Sequence, residues 1–287
     1  MPQDLRTIRR KLKTVRNIWQ ITRAMKMVAA ARLRRLQAKV AESRTYWDGL
    51  WGLAERLVKS GAASGHPFVS AEQPQRPLLV IVAGDRGLCG SYNSLVFRRA
   101  EAAMNDAEYA GVIAVGAKTK RWADREGIEL AADFPAFAEK PPEAAEVHLR
   151  VADFVAQRLT AGEYDGLEVV YTPYVSTLHN IPRLVSVLPL RPPEQASERV
   201  DYIFEPSERD VVDALLPRAV QARIAQIVIE AATAEQAARM TAMSAASDNA
   251  EELEKELQRL HNRLRQQEIT TEILEVVAGA EALTQEQ

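Results

Sequence analysis

The chain has 287 residues, of which 47% are hydrophobic and 26% are charged. This composition excludes a disordered polymer and predicts a folded protein. The net charge of −2 conceals an asymmetry, because residues 1–60 carry 15 Lys and Arg against 4 Asp and Glu (15 − 4 = +11), whereas residues 207–287 carry 8 against 15 (8 − 15 = −7). A basic first segment and an acidic last segment are therefore available to lie together.

The cysteine count and the hydropathy exclude two further classes of protein, those with internal disulfides and those with transmembrane helices. The only cysteine is Cys89, so no internal disulfide forms and a reducing compartment is expected. No stretch reaches the roughly 18 consecutive apolar residues of a transmembrane helix, and the N-terminus lacks the apolar core of a signal peptide. We expect the basic N-terminus to belong to the mature protein, and any membrane association to come through partners.

Residues 1–60 form the first predicted segment, a long helix. Apolar or small residues recur in steps of four and three, as on one face of a coiled-coil helix. The predicted face consists of Ile8, Leu12, Val15, Trp19, Thr22, Met25, Ala29, Leu33, Leu36, Val40, Ser43, Trp47, Leu50, Ala54 and Leu57. Such a helix would be roughly 85 Å long at about 1.5 Å per residue.

A compact α/β domain is predicted over residues 77–205. Strand patterns at 78–83, 112–115, 167–171, 184–188 and 200–204 alternate with predicted helices at 91–107, 118–126 and 144–160, and residues 133–144 are predicted to form a loop. Strands and helices that alternate at this spacing predict a small, mostly parallel, Rossmann-like sheet with helices on both faces.

Residues 207–287 predict a second long helix, with Ser207 as its N-cap and a kink or a restart at Pro217. A phase slip near 248–249 divides its predicted coiled-coil face, which consists of Ile227, Ala231, Ala234, Ala238, Thr241, Ala245, Leu253, Leu257, Leu260, Leu264, Gln267, Thr271, Leu274 and Ala278. Because the inserted domain returns the chain near the point where it left, we expect the two long helices to form an antiparallel coiled coil.

The segment GDRGLCGSYN, residues 84–93, is the one place that invites a phosphate-binding hypothesis. Its three glycines match neither the dinucleotide fingerprint nor a Walker A loop, which ends in Gly-Lys-Ser/Thr. We therefore favour a structural turn over a nucleotide site, and we expect no cofactor. The turn residues singled out are Arg86, Gly87, Cys89 and Gly90.

No pattern predicts a metal site or a catalytic site. His66, His148, His179 and His261 stand far apart, without Cys or carboxylate at ligand spacing. Cys89 lies close to Arg86, which is typical of a reactive thiolate, but a buried structural cysteine is the better interpretation because no histidine lies near it in sequence.

Two surfaces, one on each long helix, are predicted to bind other macromolecules. The basic face of the first helix suits either nucleic-acid phosphates or an acidic protein surface. Near the end of the last helix, apolar residues cover most of the helix surface: Ile273, Leu274, Val276, Val277, Ala278, Ala280, Ala282 and Leu283. So many apolar side chains in water would promote aggregation, and we therefore expect another protein to surround this end.

Four segments, in order along the chain, resemble the gamma subunit of F-type ATP synthases: ITRAMKMVAAARLRR, GDRGLCGSYN, EQAARMTAMSAASDNA and RQQEITTEILEVVAGAEAL. The resemblance implies a non-catalytic central rotor shaft whose two helices reach into a ring of three alpha and three beta subunits. It further implies that the α/β domain contacts the epsilon subunit and the c-subunit ring, at the cytoplasmic face of a bacterial plasma membrane. Proton-driven rotation of the c ring would then change the beta-subunit catalytic sites in succession.

The resemblance also implies particular contact residues. Those implied to meet beta-subunit loops are Arg23, Met25, Lys26, Arg265 and Gln266. The segment DYIFEP resembles the family's foot beside the c ring, and its implied contact residues are Tyr202, Phe204 and Glu205.

From the residues alone, two other classes of function remain possible alternatives. An RNA-binding protein with a basic helical hairpin would show salt-sensitive RNA binding by the isolated chain. An enzyme that uses the α/β domain for a nucleotide would show nucleotide binding by residues 77–205 alone.

Overall fold

The computed structural model describes residues 3–135, 143–177, 181–192 and 202–285. The elements in chain order are α1 (Gln3–Ser60), β1 (Pro77–Val82), α2 (Tyr92–Asp106), β2 (Gly111–Val115), α3 (Ala117–Glu126), β3 (Ala132–Phe134), α4 (Glu143–Thr160), β4 (Gly166–Tyr171), β5 (Arg183–Leu188) and α5 (Glu208–Gln285). The chain divides into two compact units: Met1–Val28 with Ala242–Gln287, called the helical unit, and Ala29–Thr241, called the sheet unit. The division into domains at 1–60, 77–205 and 207–287 stays a prediction.

The sheet unit is built on a five-stranded sheet in the order β3-β2-β1-β4-β5. β1 pairs in parallel with β2 and β4, and β2 pairs in parallel with β3, whereas β5 runs antiparallel to β4. A parallel core with this strand order is that of a doubly wound Rossmann-like fold. The predicted α/β class is confirmed.

Side chains of β1 alternate between two cores, as they must on a pleated strand. Leu78, Val80 and Val82 pack with α4 and with parts of α1 and α5. Leu79 and Ile81 pack on the opposite face with α2 and α3. Because helices cover both faces, β1 is apolar throughout instead of alternating with polar residues.

Two local predictions within the sheet unit are wrong. Residues 132–134 form the edge strand β3, parallel to β2, where a loop was predicted; a strand of three residues is too short to show a periodic pattern. Residues 202–204 form no strand, because they pair with none of the five strands, although Phe204 packs against the core and Ile203 is 94% exposed. Residues 200 and 201 lie outside the described residues.

Helix α5 continues through Pro217, so it does not restart there, and the alternative, a kink at Pro217, stays a prediction. A proline inside a helix costs about 3 kcal/mol, and here the neighbouring Leu216, Ala219 and Val220 are fully buried in the core, which offsets that cost. The predicted N-cap is confirmed, because the Ser207 hydroxyl accepts a hydrogen bond from the backbone N–H of Asp210 at 3.2 Å.

Between Ile224 and Arg239, α5 is surrounded on all sides within the sheet unit. Every residue of this stretch except Glu230 is buried. The predicted face is confirmed at Ile227, Ala231, Ala234 and Ala238, which are buried, whereas Thr241 is exposed. The small alanine side chains let neighbouring segments approach the backbone of α5 closely.

The helical unit is an antiparallel pair formed by the start of α1 and the last part of α5. Arg9 donates from Nε to His261 Nε2 at 3.2 Å, and Arg16 Nε lies 2.6 Å from Glu254 Oε1. Residue numbers thus rise along α1 while those of the contacting residues on α5 fall, as in an antiparallel pair. The antiparallel coiled coil is confirmed, and the predicted α1 face is buried in this unit at Ile8, Leu12, Val15 and Thr22 and half-buried at Trp19 and Met25.

The predicted α5 face is only partly right in this unit. Leu257 and Leu264 are half-buried as expected, but Ala245, Leu253, Leu260, Gln267, Thr271, Leu274 and Ala278 are exposed. The buried or half-buried side is the stripe Met243, Ser247, Ala250, Glu254, Leu257, His261, Leu264 and Glu268. Steps of four and three fit more than one stripe of α5. Its polar members face α1 because Arg16 and Arg9 pair with Glu254 and His261.

The turn formed by residues 84–93, after β1, uses its polar side chains to hold the backbone. Asp85 Oδ1 accepts from the N–H of Ala117, the first residue of α3, at 2.9 Å. Asn93 accepts from the Gly84 N–H at 2.9 Å and donates to the Arg86 carbonyl at 3.2 Å. Because Asp85 and Asn93 are hydrogen-bonded to the chain's own backbone, this geometry supports a structural turn.

Cys89 is a buried part of the same turn. Its thiol donates to the Arg86 carbonyl at 3.8 Å, and the side chain clusters with Tyr92 and Ala234. Burial raises the pKa of the Cys89 thiol, and the nearby negative charge of Glu235 adds to that increase.

A glycine is required at position 116, between β2 and α3. Gly116 has φ +95°, and a Cβ there would lie 2.2 Å from the Ala83 carbonyl oxygen. We expect Gly116→Ala to lower the free energy of unfolding by about 3 kcal/mol, since backbone strain and overpacking add. Gly127→Ala is the control, because Gly127 has φ +69° but open space around its Cβ; there we expect a loss of about 1 kcal/mol. Urea unfolding of the full chain measures both, and equal losses would contradict the argument.

The burial of Cys89 and the raised pKa of its thiol also predict that this thiol reacts slowly with thiol reagents. At about pH 8 we expect its reaction with Ellman's reagent to be at least about tenfold slower in the folded chain than in guanidinium-unfolded chain, because both accessibility and thiolate fraction are reduced. The unfolded chain is the control, since it has the same single thiol. Equal rates in the two states would show that the thiol is accessible.

Candidate partner-binding surfaces

The described residues do not assemble a metal centre. No group of three or more His, Cys, Asp or Glu side chains within these ranges could hold a metal ion. His66 Nε2 lies 3.8 Å from Asp213, while His261 accepts a hydrogen bond from Arg9 in the other unit. His179 lies outside the described residues. Among the helices in the part of the chain that the structure describes, none has the length and apolar character of a membrane span.

The first predicted contact surface lies on α1 within the helical unit. Arg23 is exposed and its guanidinium lies 4.9 Å from the centre of the Trp19 ring, while Met25 and Lys26 are half-buried. Arg23 also acts electrostatically on Glu251 of α5, whose pKa is lowered mainly by its hydrogen bond with Lys255. Arg23 and Lys26 lie three residues apart on one side of α1, whereas Met25 lies on another side, because residues two apart in a helix do not face each other.

The second predicted contact, Arg265 with Gln266, lies on α5 in the same unit and is exposed. It is two heptads beyond Glu251, which places it about 21 Å further along the helix at 1.5 Å per residue. The structure thus does not bring the two sets of contact residues together. The two predicted sets lie apart on one helical pair.

Apolar side chains are also exposed along α5, on more than one side of the helix. We call them the exposed apolar set, and its members are Leu253, Leu260, Ile269, Ile273, Leu274, Val276 and Val277, all at least 39% exposed. Sequence reasoning placed Leu253 and Leu260 inside the coiled coil and therefore missed them as surface residues. The signal that could have identified them as exposed is the second stripe of α5, which contains Glu254 and His261 and fits the same steps of four and three.

The third predicted contact surface, the foot, lies in the sheet unit just before α5. The Tyr202 and Phe204 rings meet edge to face with centroids 6.2 Å apart. They line an open groove of about 390 Å³ together with Leu53, Arg56, Leu57, Ile203, Glu205, Val211 and Leu215. Sequence reasoning missed Ile203, the most exposed apolar residue of the foot, although it lies inside the DYIFEP segment.

Comparison with known proteins relates this geometry to one family. A family model described as ATP synthase matches residues 4–283. The ATP synthase gamma chain of Pelotomaculum thermopropionicum is 38% identical over 285 residues, which cover 98% of this chain and 99% of that protein. The ATP synthase gamma chain of Desulforamulus reducens is 38% identical over 282 residues, covering 97% and 98%.

Solved structures share the fold at lower identity. A chain of the Euglena gracilis mitochondrial ATP synthase in rotational state 3 aligns with a TM-score of 0.69 and 18% identity, covering 98% of this chain and 94% of that chain. A chain of the central stalk and c-ring structure from Tetrahymena thermophila aligns with a TM-score of 0.61 and 23% identity, covering 79% and 99%. The fold, the family model and the end-to-end identity to curated relatives agree, and the chain belongs to the ATP synthase gamma chain family.

Proposed function

We propose that this chain is the central rotor shaft of an F-type proton-translocating ATP synthase. The observation that carries the proposal is the exposed apolar set: in a chain of this family, a helix leaves apolar side chains such as Val276 (72% exposed) and Leu274 (62%) uncovered on more than one side. So many exposed apolar side chains on one helix mark a protein interface. Its proposed cover is a ring of three alpha and three beta subunits.

The mechanism follows from the unequal sides of the helical unit. α1 presents exposed cations such as Arg6 and Arg10, whereas α5 presents exposed acids such as Glu252 and Glu256 together with the exposed apolar set. As the pair turns, each beta subunit would meet α1 and α5 in succession, and with them surfaces of different charge and apolar character. Because a contact shifts a conformational equilibrium only by its differential free energy, these different sides would favour different beta-subunit states.

The two contact sites of the helical unit have complementary roles in this proposal. Met25, with Arg23 and Lys26 close to it in sequence, would meet an acidic beta-subunit loop, since two cations near an apolar side chain suit a carboxylate-rich partner. Arg265 and Gln266 would hydrogen-bond a second beta-subunit loop, because an exposed guanidinium can bind a carboxylate through two parallel bonds.

The sheet unit would connect the shaft to the membrane part of the complex. We propose that Tyr202, Phe204 and Glu205, with Ile203, contact the c-subunit ring, and that the epsilon subunit also binds this unit. The chain would then be a peripheral, non-catalytic subunit at the cytoplasmic face of a bacterial plasma membrane. Residues 1–60 and 207–287 would serve as the shaft and residues 77–205 as the domain that receives rotation.

Co-expression with alpha and beta subunits tests the function directly. We expect a stable complex of three alpha, three beta and one copy of this chain, with ATPase activity that the purified chain lacks. The purified chain is the control, and salt-dependent binding of a random RNA to it tests the RNA-binding alternative. Failure to assemble with the catalytic subunits would reject the rotor function.

The role of Arg265 is tested by Arg265→Ala in the assembled complex. We expect the rate of ATP synthesis to fall about tenfold, since the loss of a charge-assisted bond costs roughly 1.5 kcal/mol or more. Arg263→Ala is the matched control, because Arg263 is another exposed arginine on the same turn of α5. Assembled complexes in which both variants synthesise ATP at the unaltered rate would remove Arg265 from the contact.

A further inference from the structure

The sheet unit concentrates its buried charge at one place. Among the described residues, the charged side chains that are buried are Asp85, Glu235 and Arg239. Arg239 Nη2 lies 2.5 Å from Glu235 Oε1, and the Asp85 charge also acts on the Glu235 carboxyl. All three therefore belong to one junction, where the turn after β1 meets α5.

The ion pair on α5 contacts the backbone of this turn directly. A Cβ at Gly84 would lie only 2.6 Å from Glu235 Oε1, so the carboxylate rests against the glycine itself. Arg239 donates from Nη2 to the Gly87 carbonyl at 3.4 Å. The pair thus touches the turn at two points three residues apart.

A third contact extends the junction along the same side of α5. The Tyr92 hydroxyl donates to the Ala231 carbonyl at 2.9 Å. Positions 231, 235 and 239 are four residues apart and so share one stripe of the helix. The turn follows this stripe for about 12 Å at 1.5 Å per residue.

Charged groups of the turn and of α1 also act on the Glu235 carboxyl. Besides Arg239 on its own helix and Asp85 in the turn, Arg32 of α1 acts on it electrostatically. Burial is the largest effect and raises the pKa of Glu235, and its second oxygen accepts no hydrogen bond from the described residues. A buried carboxyl in this condition is a costly element of a core.

Burying the Glu235–Arg239 ion pair costs free energy and gives little net stability, which indicates that the pair has another role. Well-packed apolar residues often replace a buried ion pair with no loss of stability. An apolar contact, however, allows neighbouring segments to slide, whereas hydrogen bonds to a charged group fix distance and direction. A buried pair that packs against Gly84 and donates a hydrogen bond to the Gly87 carbonyl therefore restricts the angular position of the turn around α5.

We propose that Glu235 and Arg239 are positioning residues that fix the angle of the sheet domain about α5, so that torque passes between them without slip. The inference rests on the proposed rotor function, because only a rotating shaft requires this angle to be held under load. The effect of both residues is on coupling between rotation and catalysis.

The first test measures the angle in the full chain. Spin labels at Arg98→Cys in α2 and Thr241→Cys in α5, in a Cys89→Ala background, report the distance between the domain and the helix. In the double variant Glu235→Leu, Arg239→Met we expect the melting temperature to be retained and the distance distribution to widen about twofold, since directional bonds are lost. Gln221→Ala is the control, because Gln221 also bonds the domain, to Asp153 at 2.9 Å, but at an exposed position.

The second test measures coupling in the assembled complex. We expect the double variant to hydrolyse ATP but to pump about half as many protons per ATP as the Gln221→Ala control, because torque is partly lost to slip. An unchanged distance distribution, or unchanged pumping per ATP, would overturn the proposal.

One further variant and the unmodified chain complete the two tests. Should the double variant not fold, Arg239→Lys keeps the charge and removes the planar donor, and an unwidened distribution in that variant overturns the proposal equally. Failure of the unmodified chain to assemble would reject the rotor function, whereas the distance measurement would still decide whether the ion pair fixes the angle.

Discussion

The rest of the structure depends on the close burial of one alanine-rich stretch of α5, from Ile224 to Arg239. Ala231, Ala234 and Ala237 are fully buried, and their small side chains let the Tyr92 hydroxyl reach the helix backbone at 2.9 Å. A larger residue at these positions would push the turn after β1 away, because a packed interior has no space for added volume. The sheet unit is therefore organised around a helix that it encloses.

The helical unit follows a different principle. Its α5 side combines apolar positions such as Leu257 with Glu254 and His261, which pair with Arg16 and Arg9 of α1. Exposed ion pairs contribute little to stability, typically about 1 kcal/mol or less, but they select one register from several. The result is that leucines such as Leu260 face outward. A stable isolated protein gains nothing from that arrangement, whereas a shaft inside a protein ring does.

The turn formed by residues 84–93 shows how one sequence feature can suggest one function and serve another. Its glycines invited a phosphate hypothesis, yet Asp85 and Asn93 are hydrogen-bonded to the chain's own backbone and Glu235 rests against Gly84. Gly84 and Gly116 are needed because side chains or backbone come too close for a Cβ. The glycine pattern indicated close approach correctly, and only the identity of the approaching group required the structure.

Local periodicity and composition were sufficient to predict both long helices, the Rossmann-like insert and the N-cap at Ser207, because these features depend on residues near one another in sequence. The resemblance of four segments was sufficient to indicate the family. Tertiary packing alone decided which stripe of α5 faces α1, since several stripes fit the same spacing and the choice depended on Arg9 and Arg16. It likewise decided that α5 continues through Pro217 and that residues 132–134 form an edge strand. In each case contacts between distant parts of the chain outweighed the local preference.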